Sequence, residues 1–252
     1  MLLRRITQHL TDQNWIAVVL DFVIVVTGIL IAFQISSMAE KRGEVALFDR
    51  QMEALKLEMT ENLERYELSA DRIKDQWESI SALREFLADP ENGTTDVEIN
   101  NLFYKSIGVI GIYTKRNSLD VALSSDLFVE RNDAELIDEI EQWEEKLAQL
   151  NRVQQDALNF RDNIMHAYFT ENLAYASILG ATGIAEGRIA PSGFEISRAE
   201  LLQDRVLDNI LAGRQLSTFQ DLVYTRELVE KTREIIKLIG AECPSSEPLA
   251  QA

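Results

Sequence analysis

The stretch WIAVVLDFVIVVTGILIAF, Trp15 to Phe33, decides the fold. It runs for 19 residues with one charged side chain, Asp21. A helix rising about 1.5 Å per residue needs roughly 20 apolar residues to cross the hydrocarbon core of a bilayer. No other apolar run in the chain is as long. The sequence therefore predicts a single N-terminal transmembrane helix over residues 15–36, carrying a large soluble body.

Two other readings of such a run fit less well. A cleavable secretory signal has an apolar core of about 7–15 residues followed by a small-residue cleavage site. Here the run is longer, and Ser36-Ser37-Met38-Ala39 is a poor cleavage site. A buried globular helix confines its apolar residues to one stripe, whereas Val, Ile, Leu and Phe surround this one. Ahead of the anchor, residues 1–14 place Leu2, Leu3, Ile6 and Leu10 beside Arg4 and Arg5, the pattern of an amphipathic segment lying along a membrane surface.

Charge is segregated. Residues 39–252 hold 23 of the 25 Lys and Arg and 40 of the 42 Asp and Glu, so the body carries the whole net charge of −17. Such a surface repels nucleic acid and anionic headgroups, which argues against either as a partner of the body. Cys243 is the only cysteine, which rules out an internal disulfide, and His9 and His166 are the only histidines, which rules out a histidine-rich metal centre. No cofactor is expected.

The body, residues 37–240, reads as an acidic all-α antiparallel bundle with long coiled-coil-like helices, and residues 241–252 read as a disordered tail. The first soluble helix is expected from about Glu44 to Ala88. Alternating steps of three and four give Val45, Phe48, Met52, Leu55, Met59, Asn62, Tyr66, Ser69, Ile73, Gln76, Ile80, Leu83 and Leu87. Asn62, Ser69 and Gln76 interrupt this seam: either they fix register, or the stripe drifts toward Leu63, Ala70 and Trp77. A capping box, Thr95-Asp96-Val97-Glu98, opens a second helix to about Val109. Ile107 to Tyr113 is left as a helix end or a buried extended segment.

Asn117 or Ser118 caps a short helix through Ser125. Asn132-Asp133-Ala134-Glu135 begins a long one to about Leu179, with Leu136, Ile140, Trp143, Leu147, Leu150, Ala157, Ile164 and Tyr168 on one face. Ser197-Arg198-Ala199-Glu200 opens a helix to about Ala212, and Ser217 to Ile239 forms the last, stopped by Gly240.

No catalytic set emerges. Gly180, Gly183 and Gly187 lack the spacing of a phosphate loop and follow no strand, so they read as a helix–helix connection. Asp138, Glu139, Glu141, Glu144 and Glu145 read as the solvated side of a helix whose other face is apolar. A nucleophile, a base and an oxyanion donor cannot be assembled. The chain is expected not to be an enzyme.

The anchor holds the candidate site. An aspartate about 9 Å below the interface costs about 2–3 kcal/mol to insert and should face protein or water. Ala17, Asp21, Ile24, Gly28, Ile31 and Ile35 follow one another at steps of four and three, and Gly28 with Ala32 is a small-xxx-small pair. Asp21, Gly28, Ala32 and Ala17, with Thr27 as a hydrogen-bond donor, are the predicted helix–helix contact. Proton or ion carriage by Asp21, and snorkelling to the headgroups, stay open beside it.

Asp21 and the run Val25-Val26-Thr27-Gly28-Ile29-Leu30-Ile31-Ala32-Phe33-Gln34-Ile35 resemble the opening of an uncharacterised family of bacterial membrane proteins, domain of unknown function 6090. The likeness lies in a short basic N-terminus, an acidic residue seven before the anchor glycine, and a G-I-L-I-A-x-Q-I run. In the body, Leu119 to Ser125 and Leu127 resemble that family's Leu-x-x-Ser-Gly-like segment. The chain departs from it after the anchor, where Ser36-Ser37-Met38-Ala39-Glu40 stands in place of Asn-Asn-Trp-Asn-Glu. The resemblance implies a bacterial inner-membrane protein and no particular activity.

Three function classes follow. The first is a non-enzymatic membrane-anchored scaffold or interaction protein that self-associates. The second is a sensor or regulator binding a ligand between helices. The third is the small subunit of an ion-driven motor using Asp21. The expected partners are the lipid bilayer, further copies of the chain and other membrane proteins, and no nucleic acid. Arg4, Arg5 and the amino terminus nearly balance Lys41, Arg42 and Arg50, so the positive-inside count is close to a tie. The short N-tail favours a cytoplasmic start and a periplasmic body, with the reverse orientation left open.

Overall fold

A computed structural model of the chain describes residues 15–89, 94–131, 134–180, 187–190, 192–194 and 198–242. The expectations for residues 1–14, the break at 90–93, the cap at Asn132-Asp133, Gly183, the cap at Ser197 and the tail from Cys243 onward lie outside these residues. The chain divides into two compact units, Met1–Gln51 and Met52–Ala252. Among the described residues every regular element is helical, and the fold class is all-α.

Helix α1 runs from Trp15 to Ala88 without a break, 74 residues in all. The sequence predicted two helices here, an anchor to residue 36 and a fresh start near Glu44. Nothing in the connecting Ser36–Gly43 stretch stops a helix: it holds Met38, Ala39, Glu40, Lys41 and Arg42, all strong helix formers, and no proline. Gly43 alone, at about 1 kcal/mol, is too weak a breaker. In the first unit, every side chain from Val18 to Ile35 is exposed. The 18-residue window of highest apolarity has mean hydropathy 2.5 and none of it is buried.

The second unit is built on three long helical segments: α1 from Met52 to Ala88, α5 (Ala134–Phe160) and α9 (Arg205–Glu242). Between them in sequence lie α2 (Asp96–Ile107), α3 (Asn117–Leu123), α4 (Asp126–Arg131), α6 (His166–Asn172), α7 (Tyr175–Gly180) and α8 (Arg198–Leu202). Trp143 donates to Thr232 at 2.9 Å, Lys146 pairs with Glu227 at 2.7 Å, and Lys231 pairs with Glu139 at 2.9 Å. Residue numbers rise on one helix as they fall on the other, so α5 and α9 are antiparallel. Arg84 with Asp208 (3.1 Å) and Glu67 with Arg233 (2.6 Å) show the same for α1 and α9.

The seam of α1 is buried at Met52, Leu55, Met59, Asn62, Tyr66, Ile73, Gln76, Ile80 and Leu83. Val45 is exposed, and at two places the stripe steps aside by one residue: Ala70 is buried in place of Ser69, and Phe86 in place of Leu87. Drift therefore explains Ser69. It does not explain Asn62 and Gln76, which are themselves inside while Leu63 and Trp77 are only half-buried.

The long helix expected to reach Leu179 is broken. After Phe160 the chain makes a π-helical turn, Arg161–Met165, and Leu173 is extended (φ −119°, ψ 160°), so α7 starts afresh at Tyr175. A π-turn adds one residue to the helical repeat. The consequence is a shift of the buried stripe by one, from the expected Ile164 and Tyr168 to Met165 and Phe169. Phe169 then meets Phe103 edge-on, centroids 5.6 Å apart, in a core with Leu83, Phe86, Leu207 and Leu211.

The last two helices also differ from expectation. The predicted gap between Ala212 and Ser217 is helical, and the break falls at Gln203-Asp204 instead. Asp204 caps the new start: its Oδ1 accepts from Val206 and Leu207 N–H at 2.8 and 3.0 Å. Gly213 stays inside α9 because a Cβ there would lie 3.0 Å from the Phe160 ring, so the glycine lets α9 approach α5 closely. Gly240 does not stop the helix, which continues to Glu242.

Candidate functional site

The predicted contact face lies in the first unit. By helical register Ala17, Asp21, Gly28 and Ala32 fall within an arc of about 60°. Thr27 stands about 120° from Asp21 by the same count, so it cannot donate to Asp21 of its own helix and would serve only a neighbouring one. Asp21, Thr27, Gly28 and Ala32 are all exposed, and nothing lies within 4 Å of a Cβ built on Gly28. At these four positions the face is bare within the first unit.

The second unit contains a polar centre that the sequence did not single out. Arg214 is fully buried, although it carries a guanidinium. It donates to the Ser106 carbonyl at 3.1 Å, to Gln76 Oε1 at 3.1 Å, to Ser217 Oγ at 3.0 Å and to the Gly108 carbonyl. Gln76 in turn donates its amide to the carbonyls of Lys105 (2.6 Å) and Gly108 (2.5 Å). Burial pulls the Arg214 guanidinium down to about 10, which leaves it charged at neutral pH. Two turns further on, Asp221 is 2% exposed, and its Oδ1 has no hydrogen-bond partner. Burial pushes its carboxyl up to about 6, against the pull of Arg214.

These groups hold a segment that no secondary structure satisfies. Residues 108–116 form neither helix nor strand, which settles the open reading of Ile107–Tyr113 in favour of an extended run. Ile110, Ile112 and Thr114 are half-buried while Gly111 and Tyr113 are exposed, the period-two alternation of extended backbone. Ile110 and Ile112 pack on Ala70, Ile73 and Leu222. Its backbone is met by side chains: Gln154 donates to the Ile110 carbonyl at 3.1 Å, and Asn62 bonds both the N–H and the carbonyl of Lys115. Tyr66 donates to Thr114 Oγ1 at 2.9 Å, and burial raises its phenol.

At the end of this strap, α3 begins without a cap of its own. Arg116 occupies the N-cap position and makes no side-chain cap bond, contrary to the expected capping by Asn117 or Ser118. The carboxylate of Glu58, reaching from α1, accepts from Ser118 N–H at 2.8 Å and Leu119 N–H at 3.0 Å instead. An anion at a helix N-terminus satisfies orphan donors and complements the helix dipole. By contrast, the Thr95 capping box forms as read, with Thr95 N–H to Glu98 Oε2 at 2.7 Å and Glu98 N–H to Thr95 Oγ1 at 3.3 Å.

Asp138, Glu141 and Glu145 are solvated as expected, whereas Glu139 and Glu144 are half-buried and pair with Lys231 of α9 and with Arg116 at the end of the strap. Among the described residues no group of three or more His, Cys, Asp or Glu is placed to hold a metal.

The signal for the polar centre was present in α9. Leu207, Leu211, Arg214, Thr218, Asp221, Thr225, Leu228, Thr232, Ile235 and Ile239 are all buried, at unbroken steps of four and three. Half of this seam is polar, which conceals it from a search for apolar residues. Its threonines tie their hydroxyls to the carbonyl four residues back, as Thr225 does to Asp221 at 2.6 Å. Comparison with family models, with curated proteins and with solved structures returned no match for this chain.

Proposed function

We propose that this chain is a non-enzymatic, membrane-tethered helical scaffold that associates with copies of itself. One observation carries the reading: a helical window of mean hydropathy 2.5 with none of its residues buried by the chain. An apolar face left bare in water is unstable, so lipid and neighbouring helices are its natural surroundings. Asp21, Gly28 and Ala32 then form the part of the anchor that faces a second anchor. Small residues let two backbones approach, and the carboxyl group finds a partner away from lipid. The interior of the body supports a structural role. There Asn62, Gln76, Gln154 and Arg214 are spent on backbone of the same chain.

The proposed place is a bacterial inner membrane with the body in the periplasm, and it rests on the resemblance to domain of unknown function 6090. Alkaline carbonate should leave the protein in the membrane pellet. A phosphatase fused at Ala252 should be active if the body is exported. In-membrane crosslinking should be stronger at positions 17, 21, 24 and 28 than at 19, 23 and 26. Release by carbonate overturns the anchor, and equal crosslinking on both sets overturns the contact face.

A second reading, ligand sensing between helices, has one feature in its favour. A cleft of about 500 Å³ opens beside the strap, lined by Arg72, Gln76, Tyr104, Ile107, Ile110 and Leu179 among others. It mixes apolar walls with charged rims, the usual make-up of a small-molecule site. Ligand-dependent protection of Tyr104 and Leu179 from hydrogen exchange would favour it over the scaffold.

A further inference from the structure

Each side of α9 but one is accounted for. Arg214 points to the interior, Gln215 donates to Ser81 Oγ of α1 at 2.7 Å, and Gly213 lies against Phe160 of α5. What remains is the outward side, where helical register places Ala212, Leu216, Phe219 and Val223 in one stripe at steps of four, three and four. Leu216 is 60% and Phe219 48% exposed.

The surroundings of this stripe are free of exposed charge along the helix. From Leu211 to Thr225 the only charged residues are Arg214 and Asp221, and both are buried. For about four turns, therefore, the outer surface of α9 carries no charge at all. Several other exposed apolar residues of the second unit lie next to a charge. Val97 sits between Asp96 and Glu98, Val129 precedes Glu130, and Leu68 follows Glu67.

From this we infer that the outer face of α9, centred on Leu216 and Phe219, is a docking surface for a second copy of this chain. The inference rests on the self-association proposed above and gives that association a place in the body. Two bodies of net charge −17 repel one another over most of their surface. Net repulsion is least where neither presents a charge. A two-fold contact is isologous, so the surface must complement itself. An uncharged apolar stripe flanked by Gln215 and Gln220 does so, because it places no like charges opposite one another. The patch is small for a free dimer, but anchoring in one membrane raises the effective concentration of copies and lets a modest contact hold.

The test uses the full-length chain in membranes, in a Cys243→Ser background, with single cysteines and a short bismaleimide. Leu216→Cys, Phe219→Cys and Val223→Cys should give the band of a pair, while Asp71→Cys and Asp138→Cys on other exposed faces should not. Adding Phe219→Glu should lower crosslinking at position 216 by about tenfold, because like charges are then forced together, with helix content unchanged. Crosslinking at Gly28→Cys but not at Phe219→Cys overturns the α9 surface and leaves the anchor contact standing. Crosslinking at neither overturns self-association and the surface together. Equal crosslinking at Phe219→Cys and Asp138→Cys means random collision, and also overturns the surface.

Discussion

Asn62 and Lys115 are joined by two hydrogen bonds, the Asn62 amide donating to the Lys115 carbonyl at 2.8 Å and the Lys115 N–H donating to Asn62 Oδ1 at 2.9 Å. The side chain thus supplies both bonds that a neighbouring β-strand would give. Buried backbone groups must be paired, and among the described residues no strand is at hand to pair the strap.

Replacing Asn62 by Leu should therefore destabilise the body, even though it completes an apolar seam. Leaving a buried donor and acceptor unpaired costs about 1–3 kcal/mol each. Ser69→Leu, at a half-buried position beside the true stripe, should stay within about 0.5 kcal/mol. Chemical denaturation followed by circular dichroism separates the two. Equal midpoints for both variants would show that Asn62 does not hold the strap.

Glu58 should matter to α3 rather than to α1, on which it sits. Glu58→Ala removes the acceptor from Ser118 and Leu119 N–H and should cost about 0.5–2 kcal/mol, with Glu58→Gln closer to wild type. Hydrogen exchange at Ser118 and Leu119 is the direct readout. Faster exchange confined to those amides is expected, and unchanged protection would rule out the cross-helix cap.

Asp221 gives a pH dependence of definite sign. Its carboxyl stands at about 6 in the folded protein against 3.8 for the free group, so between these values the folded state binds more protons than the unfolded one. Stability then falls as pH rises through this window and levels off above about 6. Glu61, held down by its hydrogen bond from Lys115, and Glu98, held down by Thr95, act in the opposite sense, and their contribution is lost only below the ordinary carboxylate range. The difference between wild type and Asp221→Asn isolates the effect. The variant should be more stable by about 1–3 kcal/mol at pH 7 and lose the decline between pH 4 and 6. Parallel curves for the two proteins would mean that Asp221 is solvated.

The helical character of the chain was legible because apolar residues at helical spacing recur in every segment, and the α1 seam was readable nearly residue by residue from Met52 to Leu83. What escaped was polar. In α9, Arg214, Thr218, Asp221, Thr225 and Thr232 occupy interior positions, and a rule that equates interior with apolar passes over them. The breaks were misplaced for a related reason. The expected gap between Ala212 and Ser217 spans Gly213, whose place in the fold is close contact with Phe160, while Asp204 before Val206 is the actual cap. The π-turn at 161–165 has no composition of its own, and it moved the stripe from Ile164 to Met165.

For the anchor, Asp21 separates a contact from a conductor. If Asp21 bonds to a neighbouring anchor, Asp21→Asn keeps hydrogen-bonding capacity and should be tolerated better than Asp21→Leu. Each interhelical polar contact is worth about 0.6–2 kcal/mol, so either change should weaken association without abolishing it. Gly28→Leu should do more, because a bulky side chain now projects from a position with nothing within 4 Å in the single chain and would hold two backbones apart. An ion-carrying Asp21 orders the variants differently: Asn is then as damaging as Leu, since neither exchanges a proton. Energy transfer between labelled copies in vesicles measures association, and a proton-flux assay on the same vesicles measures conduction. Graded loss of transfer without flux supports the scaffold, whereas flux that both substitutions abolish equally would make the anchor part of an ion-driven machine.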